Sequence, residues 1–321
     1  MPLVMVGSAQ VLASQTCRAF VPCDDYPVAM HRPALIDGVS ASRLQLRPGP
    51  WTTVLQALVA QFPAVGDEVW LQRFARGRVL DETGEALSAD ARFRVGAEIY
   101  YYREVDTEAR LSVVETVLHV DADLLVVDKP HFLPVIPGGG YVSETLLTRV
   151  RRRLGDVEAV PLHRLDRLTA GLVLFSINPA TRAAYQALFR THAIDKHYEA
   201  LAAPLPALQF PLQRESHLAR GEPFFRMREV DGTPNSLTRI DVLERGATTW
   251  RYALQPVTGR KHQLRVHMAA LGAPILHDPL YPELTDTRDD PTRPLKLLAR
   301  ELSFVDPLDG RPRRFESQLT L

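Results

Sequence analysis

Pro161-Leu162-His163-Arg164-Leu165-Asp166-Arg167-Leu168-Thr169-Ala170-Gly171-Leu172-Val173-Leu174-Phe175 decides the reading of this 321-residue chain. Leu172 to Phe175 is a short apolar run bounded by Gly171 and Asn178-Pro179, the pattern of a buried strand. The polar half sets Asp166 between Arg164 and Arg167, just ahead of that rigid element, where a reactive group is well held. Two adjacent guanidiniums favour the charged carboxylate, and an ionised, fixed carboxylate serves as a nucleophile or stabilises a developing cation. On residue types alone, a structural ion pair at the start of a strand is the plainer account.

Two further stretches share this chemical character. Asp195-Lys196-His197-Tyr198-Glu199-Ala200-Leu201 reads as a strand, with Lys196 and Tyr198 on one face and His197 on the other. Val257-Thr258-Gly259-Arg260-Lys261-His262-Gln263-Leu264-Arg265-Val266-His267-Met268 turns at Thr258-Gly259 into a helix. Leu264, Met268 and Leu271 line one face of that helix, and Gly272 is its natural C′ residue. His262 and His267 are four apart plus one, without a glutamate or third ligand, a weak metal pattern. Upstream, Asp121-Ala122-Asp123-Leu124-Leu125-Val126-Val127-Asp128-Lys129-Pro130 is a strand with a turn on each side. Downstream, Gly272-Ala273-Pro274-Ile275-Leu276-His277-Asp278-Pro279-Leu280-Tyr281 follows the helix, and Leu295–Phe304 closes the domain as a strand.

Together, H-R-L-D-R-x-T, K-x-Y-x-A and T-G-R-x-H-Q-L-R-V-H, in this order, closely resemble the motifs of the RluA-type pseudouridine synthases, which isomerise uridine to pseudouridine in structured RNA. The resemblance covers roughly residues 117–305. It implies an α+β catalytic domain on a bent, mostly antiparallel mixed sheet, with RNA in a cleft across it. It also implies catalytic roles for Asp166, Tyr198 and Arg265: Asp166 acts at ribose C1′, Tyr198 packs on the target base, and Arg265 pairs with Asp166. Arg164 would fill the gap left by a flipped-out base. Arg167, Lys129, Lys196, Arg260, His262 and Gln263 would contact RNA. No cofactor and no metal are implied, since the reaction is redox-neutral. Ala170 stands where the family usually has Ser, His277 where it has Gly, and Ala299 where it often has His. His131 to Gly140 departs from the family's usual continuation, and the glycines 138–140 are not followed by the G-K-[ST] of a phosphate loop.

The remaining chain divides as follows. Residues 1–32 read as a flexible segment, and Met30 is a candidate start. Residues 33–107 read as a small α/β module: a helix from Thr52-Thr53 through Phe62, a second around Trp70 to Phe74, and a hairpin ending in Val95–Arg103. The module resembles the α-L RNA-binding domain, with a thin basic helix of Arg73, Arg76 and Arg78. Residues 108–116 form a linker, and 117–321 the catalytic domain. Within that domain, Ser143 is expected to cap an arginine-ended helix through Leu154, and Asn178 to cap the next.

Composition excludes little. Hydrophobic content of 45% and charged content of 24% suit a soluble globular protein. A formal net charge of +0 argues mildly against a nucleic-acid partner, but between Glu144 and Arg190 arginines outnumber acids by eight to four, a candidate RNA footprint. Cys17 and Cys23 fit no zinc or redox spacing, and no apolar run reaches membrane-spanning length. The expectation is a monomeric, cytoplasmic RNA pseudouridine synthase that acts on ribosomal RNA in preference to transfer RNA. The competing readings are a non-catalytic RNA-binding or ribosome-assembly factor on the same fold, and a hydrolase, which needs a second placed carboxylate.

Overall fold

A computed structural model describes residues 33–105, 107–155 and 157–321. The expectations for residues 1–32 lie outside these. The elements, in order, are β1 (Ser42–Gln45), α1 (Val54–Gln61), α2 (Asp67–Ala75), β2 (Val79–Leu80), β3 (Glu98–Tyr101), β4 (Thr116–Val120), β5 (Leu124–Lys129), α3 (Leu146–Arg153), β6 (Val160–Pro161), β7 (Ala170–Ser176), α4 (Arg182–Arg190), β8 (Ile194–Ala202), β9 (Leu212–Arg220), β10 (Met227–Val230), β11 (Ser236–Arg245), β12 (Trp250–Pro256), α5 (Gln263–Ala270), β13 (Leu297–Val305) and β14 (Pro312–Glu316).

The large sheet runs β10-β9-β11-β12-β8-β13-β7-β5-β4, with β14 on β13 and β6 on β7. Every pair is antiparallel except β13 with β7. β7 explains why its sequence reads as a continuous apolar run: both of its faces are covered. Val173 and Phe175 pack with Leu146 and Val150 of α3, while Leu172 and Leu174 pack with Tyr185 and Leu188 of α4. A strand buried on both sides keeps no polar face, and each such side chain contributes about 1.5–3 kcal/mol by leaving water.

The parallel seam places the catalytic-motif strands side by side. Ala170 and Gly171 pair with Leu298 and Ala299, and Ala299 pairs in turn with Tyr198. Gly171 has φ +112, and a Cβ there lies 2.3 Å from the Ala299 carbonyl oxygen. Gly171→Ala is therefore expected to lower stability by about 1–3 kcal/mol from backbone strain, with a steric cost of similar order. Urea melts check this through a lower midpoint at unchanged slope.

The N-terminal residues form a three-stranded sheet, β1-β3-β2, under α1 and α2, with a core of Leu46, Val54, Leu58, Trp70, Phe74 and Ile99. Thr53 caps α1 by accepting from Gln56 N. The basic residues of α2 and its C-terminal turn are engaged within the module. Arg73 stacks on Trp70 and donates to the Glu104 carbonyl, while Arg76 and Arg78 pair with the Glu104 carboxylate.

Two expected caps are displaced. Thr145, not Ser143, caps α3, because the backbone N–H groups of Val142, Ser143 and Glu144 all donate to the Glu108 carboxylate. The residue before α4 is Thr181, and Asn178 instead closes a turn onto Ala180 N.

The arginines of α3 are also engaged within the chain. Arg149 donates to the Leu111 and Val113 carbonyls and pairs with Glu115 and Glu144. Arg151 donates to the Ala159 carbonyl and the Ser40 hydroxyl, Arg152 holds Asp37, and Arg153 pairs with Glu115. The candidate footprint on this helix is thus a seam binding residues 37–40 and 111–115 to the catalytic domain. Among the described residues, no helix is long and apolar enough to cross a membrane.

Candidate active site

The loop from Asp166 to Thr169 is tightly turned, with Thr169 N donating to the Asp166 carbonyl. Two side chains from the region after β5 hold it. The Lys129 ammonium donates to the carbonyls of Pro130, Leu133 and Arg167, and the His131 Nδ1–H donates to the Leu168 carbonyl at 2.6 Å. The stretch that departs from the family pattern thus contributes His131 to the clamp on the Asp166 loop. On the other flank, His163 Nε2 accepts from Leu174 N and its ring stacks on Phe189, so a side chain extends the β6–β7 ladder. Burial, then Lys196, drives the His163 pKa down to about 3, which keeps that acceptor nitrogen free of a proton.

Asp166, Tyr198 and Arg265 meet in one cleft of about 1040 Å³. Arg265 is almost wholly buried. Its Nε and Nη2 grip Asp278 at 2.8 and 2.6 Å, and its Nη1 donates to Asp166 Oδ2 at 3.2 Å. Asp278, fully buried, also accepts from Leu280 N and Tyr281 N. Burial opposes the charge on Arg265, but its bonds and charge pairing with Asp278, then Asp166, outweigh that and strengthen its protonation.

Burial also pushes the Asp166 carboxyl up, yet the surrounding cations outweigh it, and its pKa falls below 3.8. The counter-ion is Arg265, from a distant helix, rather than the flanking Arg164 and Arg167. Burial lowers His262, which faces Asp166 Oδ2 from 3.7 Å, to about 4. It is neutral at physiological pH and adds no charge there. Tyr198 packs at the junction of the two main core clusters. Burial and the Asp166 charge both raise its pKa, so its phenol stays protonated.

The other expected contact residues divide. Arg164 and Arg260 are exposed on the cleft rim, with Lys196 half-buried beside them. Arg167 lines the cleft but pairs with Asp289 and stands over the Tyr141 ring. Lys129 and Gln263 are buried and address the chain itself. Gln263 bridges Thr258, Arg260 N, Leu237 and Thr238. His262 lies inside the site beside Asp166. His267 is a core histidine bonded to Thr238, Ser216 and Ser236 hydroxyls.

Sequence reading missed Asp278, Tyr281, His131 and Lys261. The D-x-x-Y spacing of Asp278 and Tyr281 was the signal available for two of them. Seven Lys and Arg side chains line the cleft against one carboxylate, Asp166. The neutral chain thus concentrates positive charge at one place.

Comparison with known proteins identifies the family. A family model described as RNA pseudouridylate synthase matches residues 123–270. An uncharacterized RNA pseudouridine synthase of Synechocystis sp. is 32% identical over 67% of this chain and 74% of its own. The dual-specificity RNA pseudouridine synthase RluA of Haemophilus influenzae is 32% identical over 63% of this chain and 92% of its own. The structure of human RNA pseudouridylate synthase domain containing 1 superposes with a TM-score of 0.54 at 26% identity, over 66% of this chain and 86% of that one. Fold and sequence together define an RNA-modifying isomerase. The chain belongs to the RluA-type family of RNA pseudouridine synthases.

Proposed function

We propose that this enzyme converts uridine to pseudouridine in structured RNA, ribosomal RNA first, with Asp166 acting at ribose C1′ of a flipped-out nucleotide. The observation that carries this reading is a lone ionised carboxylate, fixed by a buried arginine, in a cleft whose other charged side chains are lysines and arginines. A hydrolase of the two-carboxylate type lacks its second acid here, since Asp166 is the cleft's one carboxylate among the described residues. Relatives named for dual-specificity and for large-subunit ribosomal activity support RNA of either kind as substrate.

In the proposed reaction, the Asp166 carboxylate attacks C1′ or steadies the cation left as the C1′–N1 bond breaks. The uracil turns within the cleft, C5 bonds to C1′, the C5 proton leaves and N1 gains one. Reactant and product are isomers. Tyr198, with its phenol protonated, stacks on the base and can donate a hydrogen bond, but is no base at neutral pH. Extrusion of the uridine costs a few kcal/mol, offset by phosphate contacts from Arg164, Arg190, Arg260 and Lys261, all exposed at the cleft.

Salt dependence separates these rim cations from the buried ones. Lys261→Ala and Arg164→Ala are each expected to reduce the slope of log affinity against log salt by about 1. Lys129→Met is expected to leave the slope unchanged and to destabilise the fold by about 1–3 kcal/mol for each carbonyl that loses its partner.

The test of function is carbodiimide-dependent pseudouridine mapping of total RNA with and without the gene. One lost site, restored by wild type and not by Asp166→Ala, establishes activity and target together. Full restoration by Asp166→Ala overturns the assigned role.

A further inference from the structure

His262 is a buried titratable group that neither the arginine pairing nor the phosphate contacts use. It sits between the two halves of the site. Its Nδ1 lies 2.8 Å from the Tyr281 hydroxyl, and its Nε2 lies 3.7 Å from Asp166 Oδ2. The protons along this chain can be placed by counting donors. Met227 N–H in β10 donates to Tyr281 Oη at 2.8 Å. A phenol carries one proton. With its oxygen already accepting from Met227, that proton has His262 Nδ1 as its acceptor among the described residues.

Burial, the largest influence on Tyr281, raises its pKa and keeps the proton in place. Nδ1 is therefore the lone-pair nitrogen, and a neutral ring carries its hydrogen on Nε2, toward Asp166. The backbone that carries the ring is in a sparsely used conformation: His262 has φ +55, left-handed and uncommon for a side-chain-bearing residue.

Asp166 Oδ2 thus accepts from Arg265 Nη1 at 3.2 Å, while His262 Nε2 faces the same oxygen from 3.7 Å, in packing contact rather than a hydrogen bond. Oδ1 has no protein donor among the described residues. We propose that His262 is a positioning residue, fixed as the Nε2–H tautomer by Tyr281, that holds Asp166 through Oδ2 and so leaves Oδ1 as the oxygen presented to ribose C1′. This rests on the role given to Asp166 above. It extends the site through Tyr281 to the β9–β10 hairpin, which supplies the first N–H of the chain. The charged groups facing His262 are Asp166 from the loop before β7, Lys261 and Arg265 from the start and body of α5, and Asp278 from the loop after it. Arg226 and Arg265 both place a guanidinium over the Tyr281 ring, 5.1 and 5.3 Å from its centroid.

The test reads the tautomer directly. Long-range proton–nitrogen spectra of the histidine-labelled full chain, with His262 assigned by its loss in His262→Gln, are expected to show Nε2 protonated and Nδ1 bare at neutral pH. Tyr281→Phe is expected to move the proton toward Nδ1 and to lower kcat about tenfold at unchanged KM for RNA, the size expected for losing one oriented hydrogen bond. His262→Gln, which keeps an N–H, is expected to retain more turnover than His262→Leu. A wild-type ring protonated on Nδ1, or equal turnover in the Gln and Leu variants, overturns the proposal. Because the spectrum needs no turnover, it stands apart from the Asp166 reading. If Asp166→Asn keeps full activity, that reading fails whatever the tautomer.

Discussion

Asp166→Asn is expected to lower kcat at least about a thousandfold, while RNA binding is retained or tightened. The substitution preserves shape and removes the nucleophilic charge, and it also removes the one negative charge from a cleft of seven cations. Single-turnover kinetics with saturating enzyme, alongside filter binding, separates the two effects. The pH profile follows from the same geometry. Because His262, Arg265 and Lys261 hold the Asp166 carboxyl below the usual carboxylate range, wild-type kcat/KM should stay level as pH falls through that range and drop only below it. In Arg265→Met the guanidinium and its hydrogen bond are gone and only His262 and Lys261 are left to oppose burial, so the acid limb moves to higher pH. An unmoved limb would show that Asp166 is not the titrating group.

Arg265→Met should also carry the largest stability penalty in the molecule. Asp278 is fully buried, and losing its guanidinium partner strands a charge in the core, which costs about 3–5 kcal/mol. The second substitution separates stability from catalysis. In Arg265→Met with Asp278→Asn, both buried charges are gone, and the amide oxygen can still accept from the backbone N–H groups of Leu280 and Tyr281. Chemical denaturation is expected to show most of the lost stability restored in the double variant, with turnover still well below wild type. Recovery of turnover would mean that Arg265 does no more than satisfy Asp278.

Much of the site could be read from sequence because its chemistry is packed into short motifs. Asp166, Tyr198 and Arg265 converge as the resemblance implied, and the apolar run of β7 announced a strand covered on both faces. What residue types and spacing alone could not give was pairing across long sequence separations. Flanking position suggested Arg164 and Arg167 as partners of Asp166, and only the family resemblance pointed to Arg265, 99 residues away.

The arginines of α3 looked like an RNA footprint because composition counts charges without showing their partners. Those partners, Asp37, Ser40 and Glu115, lie far upstream. The displaced cap of α3 has the same origin: Glu108, some 35 residues earlier, took the backbone donors that Ser143 was expected to precede. β1, β6 and β14 are short or carry charged, half-exposed residues, so neither alternation nor an apolar run marked them.

The α3 seam also decides how the N-terminal module is carried. Bonds from Arg149, Arg151, Arg152 and Arg153 tie both the segment before the N-terminal sheet and the segment after it to the catalytic domain, while Glu104 engages Arg73, Arg76 and Arg78. A module moored at two points does not swing like a bead on one thread, and it keeps a set offset from Asp166.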